Sequence, residues 1–406
     1  MRSWLQVAAV LALHAHTEAS ESLPVEEINL DLPPAQRWTA FAQKYRQDII
    51  ERCTGMGVLY QKSLGDDIAA RWVKGATLSS ELRAEYDDLV RTVDHSDVTF
   101  DRLVLSDMWS AVDAPSFGCT GLLAAMPNGT VIHGRNIDYD LMEMQEQAQK
   151  VGVMPAGGRM FEGVFTRGGR PIANFIAMSG SLGIHTGMRP GAYSVNSNAR
   201  LPNDTMLENL AAHEAGGRNF PWVVREMLQT VPDFGSAVRM MEATELNAPN
   251  YFIFAGAGPY EGAIVTKDRL TTHQPWTPPT QRLSKAEGIW HLVQTNDDLT
   301  HPPNDARRGA ALLRLSQSRQ SQVSMAFVQR EMEASPTTNS DTLLTWVADP
   351  HAGLHTVFRR SQQEIMGGFM NKMLHRKLHI PMPQDLHESS APRGRSALRG
   401  SSLQVP

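Results

Sequence analysis

Apolar positions recur at three- and four-residue spacing through the first hundred residues, then give way to short alternating or continuous apolar runs. Trp38, Phe41, Ala42, Tyr45 and Ile49 share one helical face, which predicts a helix over Arg37–Arg52 punctuated by Gly55-Met56-Gly57. Helices are also expected over Val58–Val73 and Ser80–Val93, the latter opened by Ser79 or Ser80 with acids in its first turns. Ahead of them, residues 24–34 alternate well enough for a short strand before Pro33-Pro34. Behind them, Phe100–Val112 is apolar and residues 113–118 read as a loop.

From there the pattern changes. Gly163–Phe165, Pro171–Met178, Ala192–Val195, Asn250–Ala255, Gly262–Lys267, Ile289–Thr295, Leu343–Asp349 and Leu354–Phe358 read as strands between Gly, Pro, Asn and Arg turns. Helices are expected over Pro221–Thr230, Phe234–Thr244 with Asp233 as cap, Asp305–Gln317 and Met325–Ala334. Strands that lie close in sequence pair antiparallel, so the pattern describes an α+β protein of antiparallel sheets with covering helices rather than alternating βαβ units.

One stretch concentrates chemistry. Thr120–Met126 and Val131–Ile137 are strand-like and flank Pro127-Asn128-Gly129-Thr130, a strong hairpin signal. If Asn128 and Gly129 form a two-residue loop, Leu122 faces Arg135 and Cys119 faces Asp138, a thiol and a carboxylate about 5 Å apart at Cβ. Alternation would then send Arg135 to the other face, so its joining the pair requires an irregularity between 135 and 138. A lone cysteine in apolar company is most often an inert small hydrophobe. A Gly-Arg-Asn-x-Asp run on an inner strand beside it is costly to bury without purpose.

Composition narrows the field. The 406 residues are 41% hydrophobic and 20% charged, enough for a large core, and the net charge of -5 leaves no general basic surface for nucleic acid. Residues 1–19 carry Arg2, an apolar run from Trp4 to Leu13 and a Thr17-Glu18-Ala19 site, the pattern of a secretory signal peptide. Export would make the sequons at Asn128 and Asn203 meaningful, although Asn128 also suits a plain turn. Cys53 and Cys119 are expected to be free thiols with different fates, since a chain of this size needs no disulfide. Residues 384–406, rich in Ser, Arg, Gly and Pro, read as a disordered tail. Gly256-Ala257-Gly258-Pro259 lacks the helix of a dinucleotide fingerprint, and Gly180, Gly183, Gly187 and Gly191 lack the ending of a P-loop. His213-Glu214 lacks the second histidine of a zinc helix, while the pairs His351/His355 and His375/His379 lack a neighbouring acid, so neither metal nor cofactor is expected.

Cys119-Thr120 followed by a hairpin ending His133-Gly134-Arg135-Asn136-Ile137-Asp138 resembles the motif of the acid ceramidase and N-acylethanolamine-hydrolysing acid amidase family, more distantly related to penicillin V acylase and bile salt hydrolase. Gly183-Ile184-His185-Thr186-Gly187-Met188-Arg189-Pro190-Gly191, Gln294-Thr295-Asn296 and Asp305-Ala306-Arg307-Arg308 resemble further family elements, and the likeness runs from about residue 24 to 375. It implies an N-terminal nucleophile hydrolase, an αββα sandwich of antiparallel sheets, matured by cleavage of Gly118–Cys119. A signal peptide (1–19), a helical α-subunit region (20–118), a catalytic β-subunit region (119–383) and the tail (384–406) would result.

The implied roles are Cys119 as nucleophile, its freed α-amine as base, Asp138 holding that amine, Arg135 favouring thiolate, Asn296 donating to the oxyanion and Arg307 nearby. The physical logic stands alone: an α-amine of pKa about 7.7–8.0 beside the thiol removes the need for a catalytic histidine. Implied with it are a lipid amide substrate, association of the two chains after cleavage, peripheral membrane contact and a lysosomal or secreted location. A small-amide acylase of the penicillin V type and a catalytically silent, secreted lipid-binding relative are the alternatives. Two departures from the family pattern stand at Ala199, where a glutamate is usual, and Ala306, where an aspartate is usual.

Overall fold

A computed structural model describes residues 22–112, 117–154, 158–200, 205–270, 278–298 and 305–360, with Ile365, Gly367, Met370 and Lys372. The signal-peptide segment, the Asn203 sequon, His375/His379 and the tail lie outside the described residues.

Thirteen described strands are β1 (Val25–Asn29), β2 (Phe117–Ala125), β3 (Val131–Tyr139), β4 (Met160–Arg167), β5 (Arg170–Met178), β6 (Thr186–Arg189), β7 (Tyr193–Ala199), β8 (Asn250–Gly256), β9 (Gly262–Lys267), β10 (Gln281–Arg282), β11 (His291–Gln294), β12 (Thr342–Asp349) and β13 (Leu354–Arg359). They form an eight-stranded sheet, ordered β1-β4-β5-β6-β7-β8-β9-β10, and a five-stranded sheet, ordered β11-β2-β3-β12-β13. Pairing is antiparallel except for β1 on β4, which is parallel. That exception arises because the N-terminal segment reaches the sheet edge from a distant part of the chain.

The layers follow from alternation along the hairpin strands. Leu123, Ala125 and Val131 pack inward on Tyr251, Ile253 and Ile264 of the larger sheet. Leu122, Ala124 and Ile132 point outward to Leu315, Phe327 and Val328 of the helices Ala306–Ser316 and Met325–Glu333. The larger sheet buries its outer face beneath the N-terminal helices and the helices Phe220–Thr230 and Phe234–Ala243, with Trp38, Phe41, Trp72, Phe161, Phe175 and Met227 in one cluster. Helix, sheet, sheet, helix is the αββα arrangement.

Helix Ser80–Val93 has the predicted bounds, because Ser79 accepts the amide of Leu82 as its cap. The expected helix Arg37–Arg52 is two, Thr39–Lys44 and Arg46–Arg52, and the chain passes through a π-turn at Cys53–Gly57 where the glycines had suggested an end. Val58–Val73 is interrupted at Gly65, whose φ of 79° no helix accommodates. Two helices lacked a clear periodic signal, Leu141–Lys150 and Met206–Glu214.

The hairpin itself differs by one residue. Cys119 pairs with Ile137 and Gly118 with Asp138, because the turn holds three residues rather than two. The Gly129 amide donates to the carbonyl of Met126, and Gly129 takes a φ of 96° before Thr130 closes the ladder. The slip puts Arg135 opposite Gly121, on the same face as Cys119, without any irregularity between 135 and 138 of the hairpin. The irregularity belongs instead to β12, where pairing skips between Thr342 and Leu344 opposite Asp138 and Ile137.

Candidate active site

Cys119 lies near the start of β2, 4% exposed, on the inner face of the smaller sheet. Arg135, on the neighbouring strand, donates through Nη2 to Cys119 Sγ at 3.5 Å and through Nη1 to the carbonyl of His185 at 2.8 Å. Asp138 leaves β3 on the opposite face, beside Gly118. Its Oδ2 accepts from Arg307 Nη1 at 2.7 Å and its Oδ1 from the Thr342 hydroxyl at 2.7 Å. The two faces meet at the backbone of Cys119: its N–H donates to Asn296 Oδ1 at 2.8 Å, and Arg307 Nη2 donates to the same oxygen at 2.9 Å.

All six residues singled out in the sequence, Gly118, Cys119, Arg135, Asp138, Asn296 and Arg307, therefore fall into one cluster, with Cys119, Arg135, Asp138 and Asn296 buried and Gly118 and Arg307 partly exposed. A Cβ on Gly118 would stand 2.8 Å from Arg307 Nη1 and 3.2 Å from Asp138 Cβ, so the residue before the nucleophile has room for hydrogen only.

Asn296 is oriented by its partners. Its Nδ2 donates to the carbonyl of Ala199 at 2.8 Å, and Arg307 can only donate, so the oxygen must face Arg307 and the Cys119 amide. The expected oxyanion donor thus presents an acceptor to Cys119 N. Behind it, a buried polar chain crosses the two sheets. His133 Nε2 meets Asn196 Oδ1 at 2.6 Å, Asn196 donates to Asn198, and Asn198 donates to the carbonyls of Gln294 and Thr295. Burial pushes the His133 imidazole down to about 3, so it is neutral, with Nε2 donating and Nδ1 accepting from Ser194.

Electrostatics oppose one another at the thiol. Burial raises the Cys119 pKa, Arg135 and Arg307 pull it down, and Asp138 adds to the rise. Cys53 is also buried, and burial pushes it up to about 12 despite the opposing pull of Arg52 and Arg102. It is a core thiol, as the different-fates reading required.

Sequence reasoning passed over two supports. Asp305 caps the helix Ala306–Ser316 and accepts from Arg307 Nε at 3.0 Å and Nη2 at 2.6 Å. Its position before a helix was a readable capping signal. Thr342 carried none, since only strand pairing brings it to Asp138. Burial would raise the Asp305 pKa, but its bonds to Arg307 leave it below the ordinary value. A depressed carboxylate stabilises above its unfolded pKa, about 3.9, and the contribution fades only as pH falls through the lower folded value. Asp305→Asn is therefore expected to cost the same stability at pH 7 and pH 5, with the gap to wild type closing below about pH 4 in urea titrations.

Elsewhere, His355 does have an acid neighbour, contrary to the sequence reading: Nε2 lies 2.8 Å from Glu162 Oε1, contributed by β4 of the other sheet. His351 meets only the carbonyl of Ala257. Gly256–Pro259 is the turn region between β8 and β9, not a nucleotide loop. Among the described residues no group of three or more His, Cys, Asp or Glu is arranged to hold a metal ion.

Two antiparallel sheets enclosed by helices, with a cysteine near the start of an inner strand, define the N-terminal nucleophile hydrolase fold. Residues 21–74 match the family model described as the beta subunit of N-acylethanolamine-hydrolyzing acid amidase. That label falls on the segment before Cys119, called the α-subunit region above, so the two pieces are termed N-terminal and C-terminal from here.

The chain is 25% identical over 337 residues to N-acylethanolamine-hydrolyzing acid amidase of Rattus norvegicus, covering 80% of this chain and 85% of the relative. It is 26% identical over 257 residues to acid ceramidase of Bos taurus, covering 60% and 62%. The solved structure of a Caenorhabditis elegans N-acylethanolamine-hydrolyzing acid amidase ortholog superposes with a TM-score of 0.50 at 24% identity, covering 60% of this chain and 100% of that one. The chain is thus similar, at about a quarter identity, to the acid amidases over 80% of its length and to the acid ceramidases over 60%.

Proposed function

We propose that this protein is a cysteine amidohydrolase that cleaves the amide bond of lipid N-acyl amides, after self-cleavage of Gly118–Cys119. The carrying observation is the convergence on Cys119: a guanidinium on its sulfur, and on its backbone nitrogen an amide oxygen locked by Arg307, which also binds Asp138. The relatives' names supply the substrate class.

Once Gly118–Cys119 is broken, the Cys119 nitrogen becomes an α-amine held by Asn296 Oδ1. Neutral, it takes the thiol proton as Sγ attacks the substrate carbonyl carbon. The C–N bond breaks, the amine passes that proton to the departing nitrogen, and a thioester remains. Water, deprotonated by the same amine, then attacks the thioester carbon and releases the fatty acid and the thiol. Arg135 stabilises the negative charge that develops on sulfur as the proton leaves. Asn296 acts in this scheme by orienting the amine, the role its oxygen is placed for, and Ala199 serves through its carbonyl rather than a side chain. No metal or cofactor enters these steps.

Synthesis in the secretory pathway, glycosylation at Asn128 and Asn203, lysosomal or extracellular residence and lasting association of the two pieces complete the reading. Asn128 is exposed on the hairpin turn, where a glycan has room. No helix among the described residues is long and apolar enough to cross a membrane.

Gly118→Ala tests the maturation step. The added methyl displaces Arg307 and Asp138 in the precursor, yet after cleavage residue 118 is no longer bonded to the nucleophile. Self-cleavage is expected to slow by about tenfold or more, while turnover per cleaved molecule stays near wild type. Loss of turnover in cleaved material would contradict this scheme. Hydrolysis of short polar amides in preference to long-chain ones, on a panel of fluorogenic N-acyl amides, would favour the small-amide acylase instead.

A further inference from the structure

The proposed chemistry lies beyond residue 118, yet the most heavily bonded carboxylate near it belongs to the N-terminal piece. Asp107 ends the helix Phe100–Asp107 and is 1% exposed. Its Oδ1 accepts from Arg52 Nη2 at 3.1 Å and the Ser181 hydroxyl at 2.5 Å. Its Oδ2 accepts from the Tyr86 hydroxyl at 2.6 Å and from the consecutive amides of Leu182 and Gly183 at 2.7 and 2.9 Å. Arg52 and Tyr86 belong to its own piece, whereas the other three donors are a turn of the C-terminal piece.

That turn leads into the site within two residues. The Ile184 amide is pinned to the carbonyl of Pro221, and the His185 carbonyl accepts Arg135 Nη1 at 2.8 Å while Nη2 reaches Cys119 Sγ. Among the described residues Arg135 has no other hydrogen-bond acceptor, and its Nε has none. Where the His185 carbonyl sits therefore decides where the guanidinium points. The N-terminal piece touches the same residue again, since the Trp109 ring stacks on the His185 ring at 4.6 Å.

A buried carboxylate with side-chain partners alone would serve cohesion. One that binds two successive backbone amides sets the course of the chain that follows. We propose that Asp107 is a positioning residue of the active site: by clamping the amides of Leu182 and Gly183 it sets the His185 carbonyl that aims Arg135 at Cys119. The N-terminal piece is then a working part of the mature enzyme, not a spent pro-segment. This rests on Cys119 being the nucleophile.

The test uses the full chain after self-cleavage and compares wild type with Asp107→Asn and Asp88→Asn. Asp88 is a fully buried acid of the same piece that accepts the Trp38 amide at 3.0 Å and the Thr39 hydroxyl at 2.8 Å, without contact to residues 180–185. Alkylation of Cys119 by iodoacetamide is followed against pH, with the modified peptide identified by mass spectrometry so that Cys53 is not counted. Turnover is measured on a fluorogenic N-acyl amide. The charged groups facing the thiol are Arg135, Arg307 and Asp138, joined after cleavage by the Cys119 α-amine common to all variants, so a displaced Arg135 leaves a less acidic sulfur.

Asp107→Asn is expected to move the alkylation midpoint up by about one pH unit and to lower kcat about tenfold or more, with KM changed far less. Asp88→Asn is expected to lower thermal stability and change neither. If Asp107→Asn fails to fold, Ser181→Ala, which removes the hydroxyl shared between Asp107 Oδ1 and the Gly183 carbonyl and keeps the carboxylate, is expected to shift both readouts the same way, by about threefold in kcat. Wild-type midpoint and kcat in the folded Asp107 or Ser181 variant would overturn the proposal. Failure of Cys119 to alkylate in wild type would overturn the nucleophile reading itself, and this inference with it.

Discussion

Cys119→Ala is expected to leave a single uncleaved chain and to lower amide hydrolysis by about 10³-fold or more, since removing a covalent nucleophile forfeits what its partners contribute as a unit. The fold should survive. The side chain is small, and only its contact with Arg135 Nη2 at 3.5 Å is lost, while the backbone amide keeps its bond to Asn296. Far-ultraviolet circular dichroism and a melting temperature near wild type, with no hydrolysis, are the expected pair of results. Activity surviving in this variant would remove Cys119 from the mechanism. Cys53→Ala is the matching control: it should cost stability through a small cavity and leave turnover unchanged, because that thiol is buried in the N-terminal core.

Arg307→Ala is expected to have the second-largest effect, on stability and chemistry together. Arg307 joins Asp138, Asp305 and the oxygen of Asn296, and burial that would weaken its charge is more than offset by the two acids, which hold its pKa above the ordinary arginine value. Truncation strands two carboxylates of which Asp138 is almost wholly buried. Breaking such a cluster typically costs about 3–5 kcal/mol, and the partial exposure of Arg307 places the expectation at the lower end. Self-cleavage and kcat/KM should fall about 10²-fold or more as Asn296 loses its anchor. Lysine is not expected to restore them, because one ammonium cannot reach three partners that a planar guanidinium spans. Urea unfolding with turnover on the same preparations measures both; wild-type turnover in Arg307→Lys would contradict the geometry.

What was legible in the sequence tracks how local the determining physics is. Helix Ser80–Val93 was readable because its cap, acids and apolar stripe lie within its own residues. The hairpin was readable for the same reason, but its register was not: Asn128-Gly129 suits a two-residue loop as well as a three-residue one, and only the ladder beyond decides. That single-residue choice carried a consequence for the site. It removed the expected pairing of Cys119 with Asp138 and exchanged the two faces, so that Arg135 rather than Asp138 stands on the thiol's side.

Long-range supports were out of reach. Thr342 meets Asp138, Ala199 meets Asn296 and Asp107 meets Leu182 and Gly183 only because the sheets and the helical layer close on one another. At Ala199, where the family usually has glutamate, the backbone carbonyl still fixes Asn296, which a side-chain comparison cannot reveal. The parallel placement of β1 was equally hidden, as a five-residue strand says nothing about which edge it will join.

The mechanism turns on whether residue 119 becomes a chain terminus. Full-length protein purified from a secretory host, held at mildly acidic pH and followed by intact mass spectrometry with N-terminal sequencing, reads this directly. The expected result is two pieces that co-purify, the second beginning Cys119-Thr120-Gly121, appearing together with hydrolysis of a long-chain N-acyl amide. A chain that stays whole across Gly118–Cys119 yet hydrolyses that amide at full rate would contradict it.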